Sequence, residues 1–231
     1  MDQVKQSPHV FCWSAKWLDK KEILSDSIFN YPSFYKKNPT SDLKIAQSIR
    51  PLIEEAEVIV AHNGDDFDIK WINTLFIKHG LGPVQGYKSI DTRQVCKQFK
   101  FMSNKLDFLL KELDLGRKLH HYGFQMWIDC MNGDKVAGAA MLKYNKIDVV
   151  RLESLYKTLL PYIKNHPMEH STNRQDIYKK RGISCVLCGS LRVFRRGVAR
   201  TLTGQFMRLQ CKDCGKWMTG PKVEGTAVKG I

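Results

Sequence analysis

The sequence predicts an α/β protein, with a mixed sheet flanked by helices and a small C-terminal metal-binding module. Three observations carry this prediction. A β-branched run at residues 58–60 leads through a turn into a segment of helical periodicity. A second strand end turns into a helix at residues 89–92, and two Cys-x-x-Cys pairs follow in the last 50 residues. A chain of 231 residues has room for one medium domain and a small appendage.

The first elements are expected to be two strands and a helix. Alternating patterns predict neighbouring strands at residues 10–17 and 22–28. Ser41 and Asp42 are candidate caps for the helix that follows. Pro51 lies within its periodic pattern, so we expect a kink or a break there.

The best strand candidate, residues 58–61, is expected to be buried and to precede a helix that begins near Asp68 and stops at Gly80. Another strand ends at Asp91, which is expected to cap the helix after it. Three more helices are expected, at residues 106–116, at 124–131 and at about 134–160, the last with a potential break near Tyr144.

Charge divides the chain into a main domain and a basic C-terminal region. We assign residues 1–165 to the main domain, 166–181 to a polar linker and 182–231 to the cysteine module. Of the net charge of +14, residues 171–231 contribute 13 Lys/Arg against 3 Asp/Glu. Such a basic region predicts contact with a polyanion, and a merely solvated basic surface is the alternative. Without an apolar run of membrane-spanning length or a secretory signal, a cytoplasmic protein with reduced cysteines is expected.

A carboxylate and a Tyr/Asp pair indicate metal-dependent nuclease chemistry. Asp68 lies at a strand-to-helix junction, and Tyr144 and Asp148 share one face of a helix. Two-metal phosphodiester hydrolysis needs carboxylates from different segments around ions ~4 Å apart, and Mg²⁺ or Mn²⁺ prefer such oxygen ligands. Each signal alone has a plainer reading, a favourable helix start for Asp68 and a chance surface pair for the other two.

In combination, the two segments resemble the motifs of a known family. Residues 62–68, His-Asn-Gly-Asp-Asp-Phe-Asp, resemble the second motif of the DEDD 3′–5′ exonucleases, which have a ribonuclease H-like fold. Residues 144–148 resemble the third motif in its tyrosine-bearing variant. The similarity extends over roughly residues 8–165 and is greatest to phage-type members that carry a C-terminal zinc module.

The resemblance implies roles for five residues in this sequence. Asp68 and Asp148 would bind Mg²⁺ or Mn²⁺, and Tyr144 would assist the nucleophilic water. Asn63 and Phe67 would shape the site near the 3′ end of the substrate. The implied activity is hydrolysis of nucleic acid from the 3′ end, with DNA favoured over RNA, in the host cytoplasm if the protein is phage-encoded.

The family's first motif, Asp-x-Glu on the opening strand, has no match upstream of Val10. We therefore expect a domain that lacks its N-terminal strands and two of the four carboxylates, so that tight binding of two ions by this chain alone is not expected. Asp65, Asp66 and Asp91 are expected to be solvated or to cap helices rather than to replace those ligands. Three explanations remain: a truncated reading frame, a separate fragment that supplies the Asp-x-Glu strand, or a remnant without activity.

The cysteine module predicts a structural zinc ribbon. Cys185-x-x-Cys188 and Cys211-x-x-Cys214 offer four thiolates, which close a tetrahedral zinc site. Arg195 and Arg196 lie among aromatic residues between the two pairs. This pattern predicts phosphate contacts with base stacking, and a solvated basic face is the alternative. Two further functions therefore stay open: a catalytically inactive zinc-ribbon protein that binds nucleic acid, and a zinc-ribbon partner of a replication or transcription complex.

Overall fold

The structure, a computed structural model, describes residues 8–116, 123–163, 166, 182–201 and 204–223. The chain forms two compact units, Met1–Lys157 and Thr158–Ile231. Apart from His166, the linker expected at 166–181 lies outside the described residues. None of the described helices is both long and apolar enough to cross a membrane.

The first unit begins with the expected pair of strands. Strands β1 (Cys12–Ala15) and β2 (Leu24–Ser27) pair antiparallel, with Cys12 opposite Ser27. The sequence analysis did not predict the short helix α1 (Pro32–Lys37) that follows.

Helix α2 (Leu43–Glu55) continues through Pro51, so the expected break does not occur. Proline removes one backbone hydrogen bond, but Ile49 and Ile53 on either side of it are buried in the core and keep this part of the helix in place. Asp42 precedes the helix without capping it through its side chain, because its carboxylate is engaged elsewhere.

Strands β3 (Val58–Ala61) and β4 (Lys88–Asp91) pair in parallel, with Ala61 opposite Asp91. Strand β3 is half-buried along its length, where the sequence predicted a buried strand, because in the described residues it has one strand neighbour. Helix α3 (Asp68–Lys78) ends two residues before Gly80, whose φ of 64° provides the predicted stop. The short helix α4 (Thr92–Cys96) follows β4 directly.

Three more helices complete the first unit and lead into the second: α5 (Leu106–Glu112), α6 (Phe124–Met131) and α7 (Lys135–Leu159). Helix α5 ends before the predicted Gly116, because Asp114 adopts a left-handed φ of 53° and the Leu115 N–H closes the turn on the Leu110 carbonyl. Helix α7 has no break at Tyr144.

An apolar core joins the helices to the first strand pair in this unit. Its buried residues include Phe11, Ile28, Ile45, Phe76, Met126 and Met141. Gly138 allows α7 to approach closely, since a Cβ there would lie 2.3 Å from the Phe29 ring. The predicted mixed α/β class is confirmed, with its parallel and antiparallel pairs forming separate two-stranded sheets within the described residues.

The second unit contains a three-stranded antiparallel sheet in the order β5 (Val193–Thr201), β6 (Gly204–Cys211) and β7 (Trp217–Lys222). Leu209 and Met218 are buried against Cys185 and Cys211. The small apolar core of the sheet is therefore built around two of the predicted zinc ligands.

Candidate functional site

The carboxyl ends of β3 and β4 lie side by side, and the candidate site is built on them. The backbone N–H of Asn63 donates to Asp91 Oδ1 at 2.8 Å. Asn63 has a left-handed φ of 66°, and its side-chain oxygen accepts from Arg93 Nη1 at 2.6 Å. The turn after β3 is thus fixed to the first turn of α4 by both backbone and side-chain hydrogen bonds.

His62 connects the same turn to a more distant segment. Its Nδ1 lies 2.9 Å from Thr92 Oγ1 and its Nε2 lies 2.9 Å from the Asn104 carbonyl oxygen. Thr92 also donates to the Ala61 carbonyl at 3.1 Å. These contacts give His62 a supporting role in the loop.

Gly64 places the Asp68 carboxylate beside the end of the strand. A Cβ on the buried Gly64 would lie 2.3 Å from Ala61 Cβ, so glycine is required there. The same Cβ position is 3.7 Å from Asp68 Oδ2, and the Gly64 carbonyl accepts from the Ile69 N–H at 2.9 Å. The first turn of α3 therefore packs closely against the end of β3.

The environment of Asp68 is unfavourable to its negative charge. Although the residue is exposed overall, partial removal of its carboxyl group from water raises its pKa, and the charge of Asp91 raises it further. A divalent cation beside Asp68 would offset both effects, so this carboxylate fits a metal ligand.

Asp91 acts as the predicted helix cap. Its Oδ1 accepts from the Arg93 N–H at 2.8 Å and the Gln94 N–H at 3.4 Å, in addition to the Asn63 N–H. Its Oδ2 is buried and accepts no hydrogen bond from the described residues. These contacts fix the carboxylate at the end of β4, where its charge acts on Asp68.

The other acidic residues of the turn face the solvent, as predicted. Asp66 pairs with Lys70 at 3.0 Å, and Asp65 accepts a hydrogen bond from Ser89. Phe67 is 57% exposed, and its ring centroid lies 6.5 Å from that of Trp71. An exposed ring beside a carboxylate offers an apolar contact for a ligand that approaches this edge.

Tyr144 and Asp148 are both half-buried on α7, one helical turn apart, and one carboxylate oxygen of Asp148 is inaccessible to water. Beyond them the helix is anchored through Glu153, which pairs with Lys16 and lies 2.8 Å from Lys157. Asp68, Tyr144 and Asp148 belong to one compact unit, and their convergence on a shared pair of ions stays a prediction.

The four paired cysteines of the second unit converge. The Sγ atoms of Cys185 and Cys214 lie 3.6 Å apart, as do those of Cys188 and Cys211, and all four lie within 4.8 Å of one another. A tetrahedral zinc site with Zn–S bonds of ~2.3 Å requires sulfurs separated by about 3.8 Å, whereas a disulfide requires ~2.05 Å. The cluster therefore fits a four-thiolate zinc site.

Two similar turns shape this cluster. Gly189 and Gly215 have φ values of 71° and 72°. Their N–H groups donate to the Cys185 and Cys211 carbonyls at 2.9 and 3.1 Å. Each Cys-x-x-Cys-Gly segment thus folds into the same compact knuckle, as the sequence predicted.

Comparison with known families identifies the first unit. A family model described as the RNase H superfamily matches residues 5–160, more than half of the chain. The protein therefore belongs to the RNase H superfamily. Membership indicates a nuclease, and thus a hydrolase whose substrate is nucleic acid. A search of curated proteins finds no match to this sequence.

The structure adds functional candidates that the sequence analysis missed. Arg93 holds Asn63 in place, and the only sequence signal for it was its position directly after the strand end at residues 89–92. In the second unit, Trp217 and Lys212 join the basic and aromatic residues. Neither lies between the two cysteine pairs, where the sequence analysis sought nucleic-acid contacts.

Proposed function

We propose that this protein is a 3′–5′ exonuclease of the tyrosine-type DEDD family that hydrolyses DNA by a two-metal mechanism. The observation that carries the proposal is the position of Asp68 at the joint carboxyl ends of β3 and β4, where its environment disfavours an unpaired negative charge. The resemblance of residues 62–68 and 144–148 to two motifs of that family supports the subtype.

In this proposal, Asp68 and Asp148 hold Mg²⁺ or Mn²⁺, whose chemistry when bound is to activate water and to stabilise the leaving oxygen. Tyr144 orients the attacking water through its hydroxyl group. Phe67 offers its exposed ring to the terminal base of the substrate, and Asn63 shapes the turn beneath it.

The second unit would hold the rest of the polyanion. Cys185, Cys188, Cys211 and Cys214 bind a structural zinc ion, and the basic residues around them, Arg195 and Arg196 included, contact phosphates. Residues 182–231 would then act as a zinc ribbon joined by a linker to the nuclease domain. We also propose that the protein is encoded by a phage and acts in the cytoplasm of the host.

A digestion assay tests the proposal. A 5′-labelled single-stranded oligonucleotide is incubated with the 231-residue chain and Mg²⁺ or Mn²⁺, and the products are resolved as a ladder. We expect shortening from the 3′ end that is slow for this chain alone, because two of the family's four carboxylates have no match in it, and that is lost in Asp68→Asn and Asp148→Asn. The matched control is Asp66→Asn, since this exposed carboxylate is two residues from Asp68 and pairs with Lys70. A ladder that persists in Asp148→Asn contradicts the proposal.

A separate fragment with an Asp-x-Glu strand is the proposed partner. The described strands of the first unit form two separate pairs, and a two-stranded sheet is marginal alone, so an added strand would gain backbone hydrogen bonds on an open edge. Co-expression with an adjacent coding segment that carries this motif should then raise the digestion rate.

The second candidate function is a catalytically inactive protein that binds nucleic acid through the ribbon. It is favoured by the concentration of charge in the second unit, where residues 182–223 contain eight Lys/Arg against the single acidic residue Asp213. Retained binding without digestion, with or without the partner fragment, would support this candidate over the nuclease.

A further inference from the structure

The β5–β6–β7 sheet has two chemically different faces. Strand β6 alternates regularly, and its inward residues, Leu209 and Cys211, pack on the cysteine knuckles. The alternate residues of β6, which are Phe206, Arg208 and Gln210, point to the opposite side of the sheet. We call this second side the outer face and define it by six residues: Phe194, Arg196, Phe206, Arg208, Gln210 and Trp217.

The register places two aromatic residues in one row across the outer face. Phe194 lies opposite Gln210, and Gln210 lies opposite Trp217. The two aromatic positions are therefore two strand spacings apart, about 10 Å. The two residues are 47% and 44% exposed, so both rings are accessible to a ligand.

A bulge in β5 brings arginines to the same face. Arg196 and Gly197 together lie opposite Arg208, and Gly197 adopts a φ of 100°. Arg196 and Arg208 are therefore neighbours across the two strands, although their sequence positions do not indicate it. Arg195 lies opposite the inward-facing Leu209, so the two consecutive arginines belong to different faces.

Each exposed ring has a cation over it. The guanidinium of Arg208 lies 4.9 Å from the Trp217 ring centroid, and Lys212 Nζ lies 5.9 Å from that of Phe194. Arg196 Nε also donates to Gln210 Oε1 at 3.1 Å. These contacts hold the side chains in place before a ligand arrives, which lowers the entropy cost of binding.

A shallow cleft borders part of the outer face. It has a volume of about 480 Å³ and is lined by Phe194, Arg196, Gln210, Cys211, Lys212 and Gly215. The one acidic residue of segment 182–223, Asp213, is paired with Arg192 and Ser190. The cleft thus offers an aromatic wall, an amide and two cations.

We propose that the outer face is a platform for single-stranded nucleic acid, with bases stacked on Phe194 and Trp217 and phosphates bound by Arg196, Arg208 and Lys212. Exposed rings can stack only on bases whose faces are free, and a duplex hides its base faces except at its ends. The platform would therefore select single strands without reading their sequence. This inference rests on the proposed nucleic-acid function and specifies the form of the substrate.

Binding of fluorescein-labelled dT20 and rU20 to the zinc-loaded 231-residue chain tests the platform by anisotropy, without added Mg²⁺ or chelator. We expect Phe194→Ala and Trp217→Ala each to weaken binding at least about fivefold, the loss expected for one stacked base. Trp217→Tyr keeps a ring and should retain most of the affinity. Arg208→Ala should reduce the slope of affinity against salt concentration by about one.

The matched control is Leu191→Ala, which removes an apolar side chain 73% exposed on the same module but outside the outer face. A labelled 20-base-pair duplex is the second control, since loss of the rings should affect it much less than the single strand. The proposed platform is contradicted if Phe194→Ala and Trp217→Ala bind single strands with the same affinity as Leu191→Ala. It is also wrong if both weaken duplex and single-strand binding equally.

The digestion assay separates this inference from the proposed function. Ring-dependent binding of single strands by a protein that digests nothing would sustain the platform and reject the exonuclease. Digestion and binding that both survive loss of the two rings would sustain the exonuclease and reject the platform.

Discussion

Asp91 and Asn63 are joined by a 2.8 Å hydrogen bond that fixes the turn after β3 to the helix after β4. The same carboxylate oxygen caps α4 through the Arg93 and Gln94 N–H groups. One buried side chain therefore connects the capping of a helix to the position of the loop that bears Asp68.

Replacement of Asp91 by alanine should destabilise the first unit. The change removes an acceptor for three backbone N–H groups, so we expect a loss of about 2 kcal/mol in the free energy of unfolding. Asp91→Asn keeps an oxygen in the same position and should lose much less. Urea denaturation of the three proteins measures the difference. Equal stability of wild type and Asp91→Ala would show that the Asn63 turn does not depend on this carboxylate.

Replacement of Asp68 by asparagine should raise the thermal stability of the metal-free protein. Partial desolvation and the nearby Asp91 raise the pKa of Asp68, so the ionised carboxylate opposes folding at pH values above its unfolded pKa. We expect the Tm of Asp68→Asn to exceed that of wild type at pH 8, and the difference to shrink as the pH falls towards 4.

Saturating Mg²⁺ or Mn²⁺ should reverse that order, because a ligand stabilises only the protein that binds it. The control is Asp66→Asn. In the wild type, Lys70 holds the pKa of the Asp66 carboxyl below its ordinary value, so this carboxylate does not oppose folding and its replacement should not raise the Tm. A Tm of Asp68→Asn below wild type in metal-free buffer would remove the electrostatic argument for a cation at this site.

Local signals determined much of the fold and could be read from the sequence. Residues 58–61 and 124–131 form the predicted strand and helix, since β-branched and amphipathic patterns with glycine boundaries act over short distances. The end of α3 before Gly80 is likewise determined by the local sequence. By contrast, α2 continues through Pro51 because core contacts from other segments keep that part of the helix in place.

The candidate site likewise combines features that the local sequence determines with features that depend on distant contacts. The strand-to-helix junction at Asp68 and the capping role of Asp91 followed from residue type and position. The contact of Arg93 with Asn63 spans 30 residues and depends on the pairing of β3 with β4, which no local pattern specifies. The separation of Arg195 from Arg196 depends likewise on the cross-strand register of the ribbon and on a bulge.

Asp42 should make the stability of the first unit sensitive to acid. Burial opposes its ionisation, but His79 and Lys78, at 2.7 and 2.9 Å, and the Val10 N–H outweigh that effect and hold its pKa below the ordinary value. A lowered pKa contributes stability above the unfolded value of about 3.9, and this contribution is lost as the pH falls through the folded pKa.

Asp42→Asn measures this contribution. We expect it to cost about 2 kcal/mol at pH 7, less than for a fully buried ion pair because Lys78 is partly exposed. The gap between wild type and variant in urea denaturation should close below about pH 4. A gap that is constant from pH 7 to pH 3 would mean that Asp42 acts through packing rather than through its charge.

Zinc removal should unfold the second unit selectively. The buried core of its sheet consists of Leu209 and Met218 with Cys185 and Cys211, which is too small to fold without the metal. We expect one zinc ion per chain by elemental analysis, and an affinity for zinc that rises with pH because binding requires thiolates.

A strong chelator should make residues 182–223 sensitive to protease while the first unit stays resistant. Cys188→Ser should lose the zinc, whereas Cys130→Ser, a buried cysteine of the first unit outside the cluster, should keep it. Retention of a full equivalent of zinc by Cys188→Ser, or a chelated protein as protease-resistant as the native one, would show that the four sulfurs do not form the structural site.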